Sequence, residues 1–101
     1  MKRTISKRGE RGASVLVPEH FCRKLGLVAG DRMTAVSGDD RCIRYEKTAT
    51  GYCLTKTGKV AGLLLTVPMW WVELTGMTQP YKVDIDTESG ALTLEKWGGL
   101  I

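Results

Sequence analysis

Histidine and cysteine, on which metal sites and many nucleophilic mechanisms depend, are scarce in this chain of 101 residues, with one His and three Cys. Around His20 no Ser/His/Asp set can be assembled from spacing, no loop has the glycine pattern that cradles phosphate, and no pair of carboxylates sits in an apolar context. His20-x-Cys22 with the distant Cys42 and Cys53 lacks the short paired spacing of a structural zinc site. We therefore expect no enzymatic activity, no cofactor and no metal. The odd cysteine count, the absence of a C-x-x-C pair and the lack of a signal peptide point to free thiols in a reducing cytoplasm. Long apolar runs are also missing but for one. Val60 to Met77 is 18 residues with a single charge, Glu73, long enough to span a bilayer. Pro68 in its middle and Gly62 near its start argue instead for a buried strand followed by a short core helix.

Charge is unevenly placed. The net is +4, yet residues 1–50 carry 11 Lys/Arg against 6 Asp/Glu, a net +5, and residues 51–101 carry 4 against 5, a net −1. Lys2, Arg3, Lys7, Arg8 and Arg11 crowd the N-terminal segment with only Glu10 opposing them. Such a one-sided patch attracts polyanions; a solvated basic tail is the alternative reading.

The stretch Gly12 to Asp31 reads as a strand, a short helix and a tight turn. Ser14 to Val17 favour a strand, Pro18 suits the start of a helix, Glu19 suits its positive end, and Gly26 can take the left-handed position that closes it. The stretch recurs. Shifted by 50 residues, Gly12 falls on Gly62, Val17-Pro18 on Val67-Pro68, Phe21 on Trp71, Gly26-Leu27 on Gly76-Met77 and Arg32-Met33 on Lys82-Val83. An internal repeat marks units that cannot bury their apolar faces alone. We expect one domain over 1–101 made of two repeats, about 1–47 and 52–97, with 48–51 as linker and one shared core. Within each repeat a hairpin leads into the helix and another comes after it, turning at Gly38-Asp39-Asp40 and Glu88-Ser89-Gly90. Met33, Ala35, Ile43, Tyr45, Val83, Ile85, Leu92 and Leu94 are the expected inward positions. Phe21 and Trp71, with Leu25 or Leu74, make the expected core stripe of the helices.

The run Val15-Leu16-Val17-Pro18-x-x-Phe21-x-Arg23-x-Leu25-Gly26-Leu27-x-x-Gly30-Asp31, with a hairpin after it ending near Tyr45-Glu46-Lys47, resembles the AbrB-like swapped-hairpin family of bacterial and archaeal DNA-binding regulators, which includes the MazE-type antitoxins. The second copy is degenerate, with Pro80 for the turn glycine, Tyr81 for the aspartate and Thr75 for the leucine. The resemblance implies a mainly β fold with two short helices, a swapped-hairpin barrel built here from a tandem, pseudo-two-fold repeat.

It also implies a function: a transcriptional regulator that contacts double-stranded DNA through the basic first repeat. The positions matching the family's contacts are Lys7, Arg8 and Arg11 in the loop and Arg23 and Lys24 at the helix end, with Arg3 a further candidate. Arginine can clasp guanine edges or phosphates with two bonds at once, whereas lysine supplies a point charge. At the positions of Arg8, Arg11, Arg23 and Lys24 the second copy reads Gly58, Ala61, Glu73 and Leu74. A homodimer bringing two basic repeats together, with Met69, Trp70, Leu100 and Ile101 at or near the contact, is expected on that ground; the alternative is a monomer whose second copy simply completes the barrel. The alternative function is a protein-binding module, antitoxin-like or phage-type, which holds a protein partner with the same barrel.

Overall fold

Pro18 and Pro68 stand at the same kind of junction, where a strand gives way to a two-turn helix. Both hold extended backbone angles at the helix N-cap, and each helix runs seven residues before a glycine in the left-handed region ends it, Gly26 and Gly76, both at φ 69°. A side chain at either glycine would be strained there, so the residue type itself limits helix length. The computed structural model describes residues 2–8, 12–56, 58, 61–77 and 81–96, excluding the side chains of residues 2 and 6–8.

In chain order the elements are β1 (Lys2–Thr4), β2 (Ser6–Arg8), β3 (Gly12–Val17), α1 (Glu19–Leu25), β4 (Arg32–Gly38), β5 (Cys42–Thr48), β6 (Tyr52–Cys53), β7 (Leu63–Pro68), α2 (Met69–Thr75), β8 (Lys82–Glu88) and β9 (Ala91–Lys96). The fold is mainly β with two short helices. A six-stranded sheet in the order β1-β8-β9-β5-β4-β6 curls into a half-barrel, and β2-β3-β7 form a second, three-stranded sheet on the same core. Among the described residues every strand pairing is antiparallel.

The pairings cross between the halves of the chain. β1 joins β8, with Arg3 opposite Val83, while β6 joins β4, with Tyr52 opposite Met33. The Ile5 amide donates to Tyr81 O at 2.8 Å, and the Leu54 amide donates to Asp31 O at 2.8 Å. β3 pairs with β7 around Val15↔Leu65, residues 50 apart, and β5 pairs with β9 around Arg44↔Thr93, residues 49 apart.

Alternation along these strands fills one core. Val15, Val17, Leu65 and Val67 point inward from the three-stranded sheet, and Met33, Ile43, Tyr45, Val83, Ile85, Leu92 and Leu94 from the half-barrel, all essentially without solvent contact. Ala35 is half-buried against them. Tyr45 binds the layers together, its hydroxyl donating to Thr66 O at 3.0 Å. Burial holds that hydroxyl well above its ordinary pKa, so it is a neutral donor.

Four expectations need correction. Thr48 belongs to β5 rather than to the linker, and the hairpin expected to lead into the second helix begins, among the described residues, with the two-residue strand β6 and a bridge between Thr55 and Leu64. The strand expected to start at Val60 starts at Leu63. Leu74 does not face the core. Trp71, Val72 and Thr75 do, and Leu74, at about 100° per residue, falls on the opposite side of that arc. Threonine is tolerated inside because its hydroxyl donates to Val72 O at 2.6 Å and accepts the Met77 amide at 3.2 Å.

Candidate nucleic-acid interface

Each end of the three-stranded sheet is a hairpin end set beside a helix. β2 pairs with β3 as far as Arg8↔Gly12, and Gly12 in turn lies opposite Pro68, so the end carrying Lys7 and Arg8 lies beside the start of α2. Arg11 lies outside the described residues, as do the side chains of Lys7 and Arg8. At the other end of the sheet, Val17 lies opposite Leu63, and Ala61 and Gly62, just before β7, come close to the junction of β3 with α1. The approach is close. A Cβ on Gly62 would collide with Val17 O, and Gly62 holds φ 113°, so glycine is required on both counts. The two ends are about 17 Å apart, five strand rises from Gly12 to Val17.

The structure therefore divides the expected basic set. Lys7 and Arg8 sit at the α2 end; Arg23 and Lys24, in the last turn of α1, sit at the other. Arg23 shares an open cleft of about 720 Å³ with Glu19, Cys22, Leu27, Lys56 and Leu63. Its guanidinium is held by Glu19 Oε1 at 2.8 Å, an i, i+4 pair in the open. Lys24 is exposed; Arg3 is half-buried on β1. Met69 is packed against the core, whereas Trp70 is exposed; Leu100 and Ile101 lie outside the described residues.

Lys56 is not among the cations the sequence singles out, and the signal that reveals it is a register. The Ser6↔Ser14 pair and the Thr55↔Leu64 bridge are corresponding pairs, 49 residues apart on one side and 50 on the other. Lys7 thus corresponds to Lys56, and the matching of Arg8 with Gly58 does not hold. The second hairpin end keeps a cation.

Other cations serve the scaffold. Lys47 donates to Gly26 O at 3.3 Å and lies 3.2 Å from Asp31 Oδ2; Lys96 donates to Thr75 O at 2.7 Å, so a lysine closes the C-terminal end of each helix. Asp31 also accepts the Val28 amide at 2.9 Å, and that bond, with Lys47 beside it, holds its carboxyl below the usual carboxylate range. Asp39 is lowered in the same way by the amides of Arg41 and Cys42, both at 2.8 Å, which fix the β4–β5 turn. Cys22 is buried, and burial pushes its thiol up. Among the described residues, no three His, Cys, Asp or Glu side chains gather as a metal site would need, and no helix is long and apolar enough to cross a membrane. No protein-family model, curated protein or solved structure matches the chain.

Proposed function

We propose that the chain is a DNA-binding regulator of the AbrB-like type, built as two fused repeats that interlock about a pseudo-two-fold axis, and that its hairpin ends grip the duplex backbone. The exchange of β1 and β6 between the halves, and the self-related pairs Val15↔Leu65 and Arg44↔Thr93, support the interlocked reading. One observation carries the function: cations stand at both ends of one layer, Lys7 and Arg8 at one and Lys56 with Arg23 at the other. A separation of about 17 Å matches five steps of about 3.4 Å along a duplex, so one chain offers two places for phosphate contact. Contacts of this kind position a protein on DNA, and the arginines are the candidates for reading bases.

Titrating duplex DNA at several salt concentrations tests the reading. Affinity should fall steeply with salt, and replacing Lys7, Arg8 and Arg11 together by Ala should reduce the slope of log K against log salt by about two to three. Absence of binding at about 50 mM salt would reject it.

A second reading rests on α2. Trp70 and Leu74 face outward, 52 % and 51 % exposed. A protein-binding module, antitoxin-like or phage-type, would use that face, and its hold on a partner would be insensitive to salt.

A further inference from the structure

The two halves of the chain touch in many places and are connected in one. β1–β8, β4–β6, β3–β7 and β5–β9 each pair an element of the first half with one of the second. None of these pairings depends on both halves belonging to the same chain. The covalent route between them is residues 49–51, which leave β5 at Thr48 and enter β6 at Tyr52.

That route crosses a strand. β4 lies between β5 and β6, with Arg32 opposite both Thr48 and Cys53, and Met33 opposite both Lys47 and Tyr52. Met33 and Ala35 face the core, so residues 49–51 pass over the other side of β4, across Thr34. The crossing is stitched down. The hydroxyls of Thr34 and Thr48 lie 2.7 Å apart, and both reach Thr50 O, that of Thr34 at 3.1 Å. Arg32 Nη1 donates to Gly51 O at 3.0 Å. A Cβ on Gly51 would stand 2.5 Å from Met33 O and from Thr34 Oγ1, and its φ is 110°.

Length leaves little slack. Two strand spacings and one residue rise put Thr48 and Tyr52 about 10 Å apart, on a line that runs through β4 itself. Clearing that backbone by about 4 Å of van der Waals contact lengthens the path to roughly 13 Å. Four Cα steps supply about 15 Å, whereas three would supply about 11 Å. Three linker residues therefore suffice and two do not.

We infer that residues 49–51 decide which copy of the chain a repeat interlocks with. At their natural length they seat the second repeat on its own first repeat. With the crossing shortened or blocked, the second repeat of one chain seats on the first repeat of another, giving a reciprocally exchanged dimer. The complementary surface is the one the repeats already share. The partner copy then completes the cleft at α1, with Arg23 from one chain and Lys56 from the other. The inference does not depend on DNA binding.

Deleting Ala49 from the full chain tests it, with Gly51→Val as a second variant that keeps the length and blocks the path. By sedimentation each variant should have twice the 11.1 kDa of the single chain. Exchanged halves part only by unfolding, so these dimers should survive dilution, and their melting temperature should rise with protein concentration. Adding two glycines after Thr50 to the Gly51→Val chain should restore the monomer. A folded monomer, or a chain unfolded at every concentration, for both variants overturns the proposal. So does a dimer that persists after the glycines are added, or a dimer of the unaltered protein that outlasts dilution.

Discussion

The hydroxyl of Tyr45 and the carbonyl of Thr66 are bonded across the core at 3.0 Å, making a polar tie between the half-barrel and the three-stranded sheet. Removing the hydroxyl takes this donor from Thr66 O at a part-buried position. Tyr45→Phe should lower stability by about 1–3 kcal/mol in urea unfolding. A loss below about 0.5 kcal/mol would mean that the tie does not hold the layers.

The two adjacent tryptophans should behave oppositely. Trp71 has no solvent contact and anchors α2 to the core, so Trp71→Ala should cost about 3–5 kcal/mol. Trp70→Ala removes a half-exposed ring and should cost markedly less, as read by thermal or urea denaturation. Equal losses would place the buried face of α2 wrongly.

Arg23 separates binding from stability. Its bond to Glu19 is an exposed helical pair of the kind that contributes about 0.3–0.5 kcal/mol. Arg23→Ala should therefore barely alter the melting temperature while weakening duplex binding, measured by fluorescence anisotropy. Unchanged DNA affinity would remove Arg23 from the interface.

Acid stability should depend on Asp31. Its folded-state pKa is depressed, so the stability it contributes is present above the ordinary carboxylate range and is lost as pH falls through the lowered value. Asp31→Asn should lower the melting temperature at neutral pH and flatten its decline below about pH 4. Parallel curves for the two proteins would show that Asp31 is not linked to folding.

The thiols should react in order of burial. Cys53 is exposed, Cys42 half-buried and Cys22 buried with its thiol held neutral, so a disulfide reagent should label Cys53 first and Cys22 only on unfolding. Rapid labelling of Cys22 in the native protein would contradict the packing of α1.

Pro18, Pro68, Gly26 and Gly76 made both helices legible in the sequence, because each residue restricts the backbone by itself. The inward set from Met33 to Leu94 was legible for a similar reason, since alternation assigns faces before any partner is known. Less visible was what the partners decide. Leu74 looks like core on hydropathy, yet Thr75 occupies the arc facing the sheet and bonds its hydroxyl locally. Lys56 escaped notice because a one-residue difference between hairpins is invisible until Ile5 and Leu54 are seen making the same bond. The basic candidates looked contiguous along the chain, but the crossing of strands between halves sends Arg8 to α2 and leaves Arg23 with Lys56.

That crossing also bears on how the chain is born. Lys2 pairs with Asp84, far downstream, and β3 has no neighbour on its inner edge until β7 exists. As a ribosome releases the polypeptide from its N-terminus, β1 emerges with its partner β8 still untranslated and β3 with only β2 beside it, and α1 is too short to persist alone. Closing such distant contacts costs chain entropy before burial repays it, so refolding is expected to be slower than that of a helical chain of similar size. Until β7 is made, the edge of β3 that it covers and the apolar face beside it are exposed, the kind of surface that makes partly folded chains prone to aggregate.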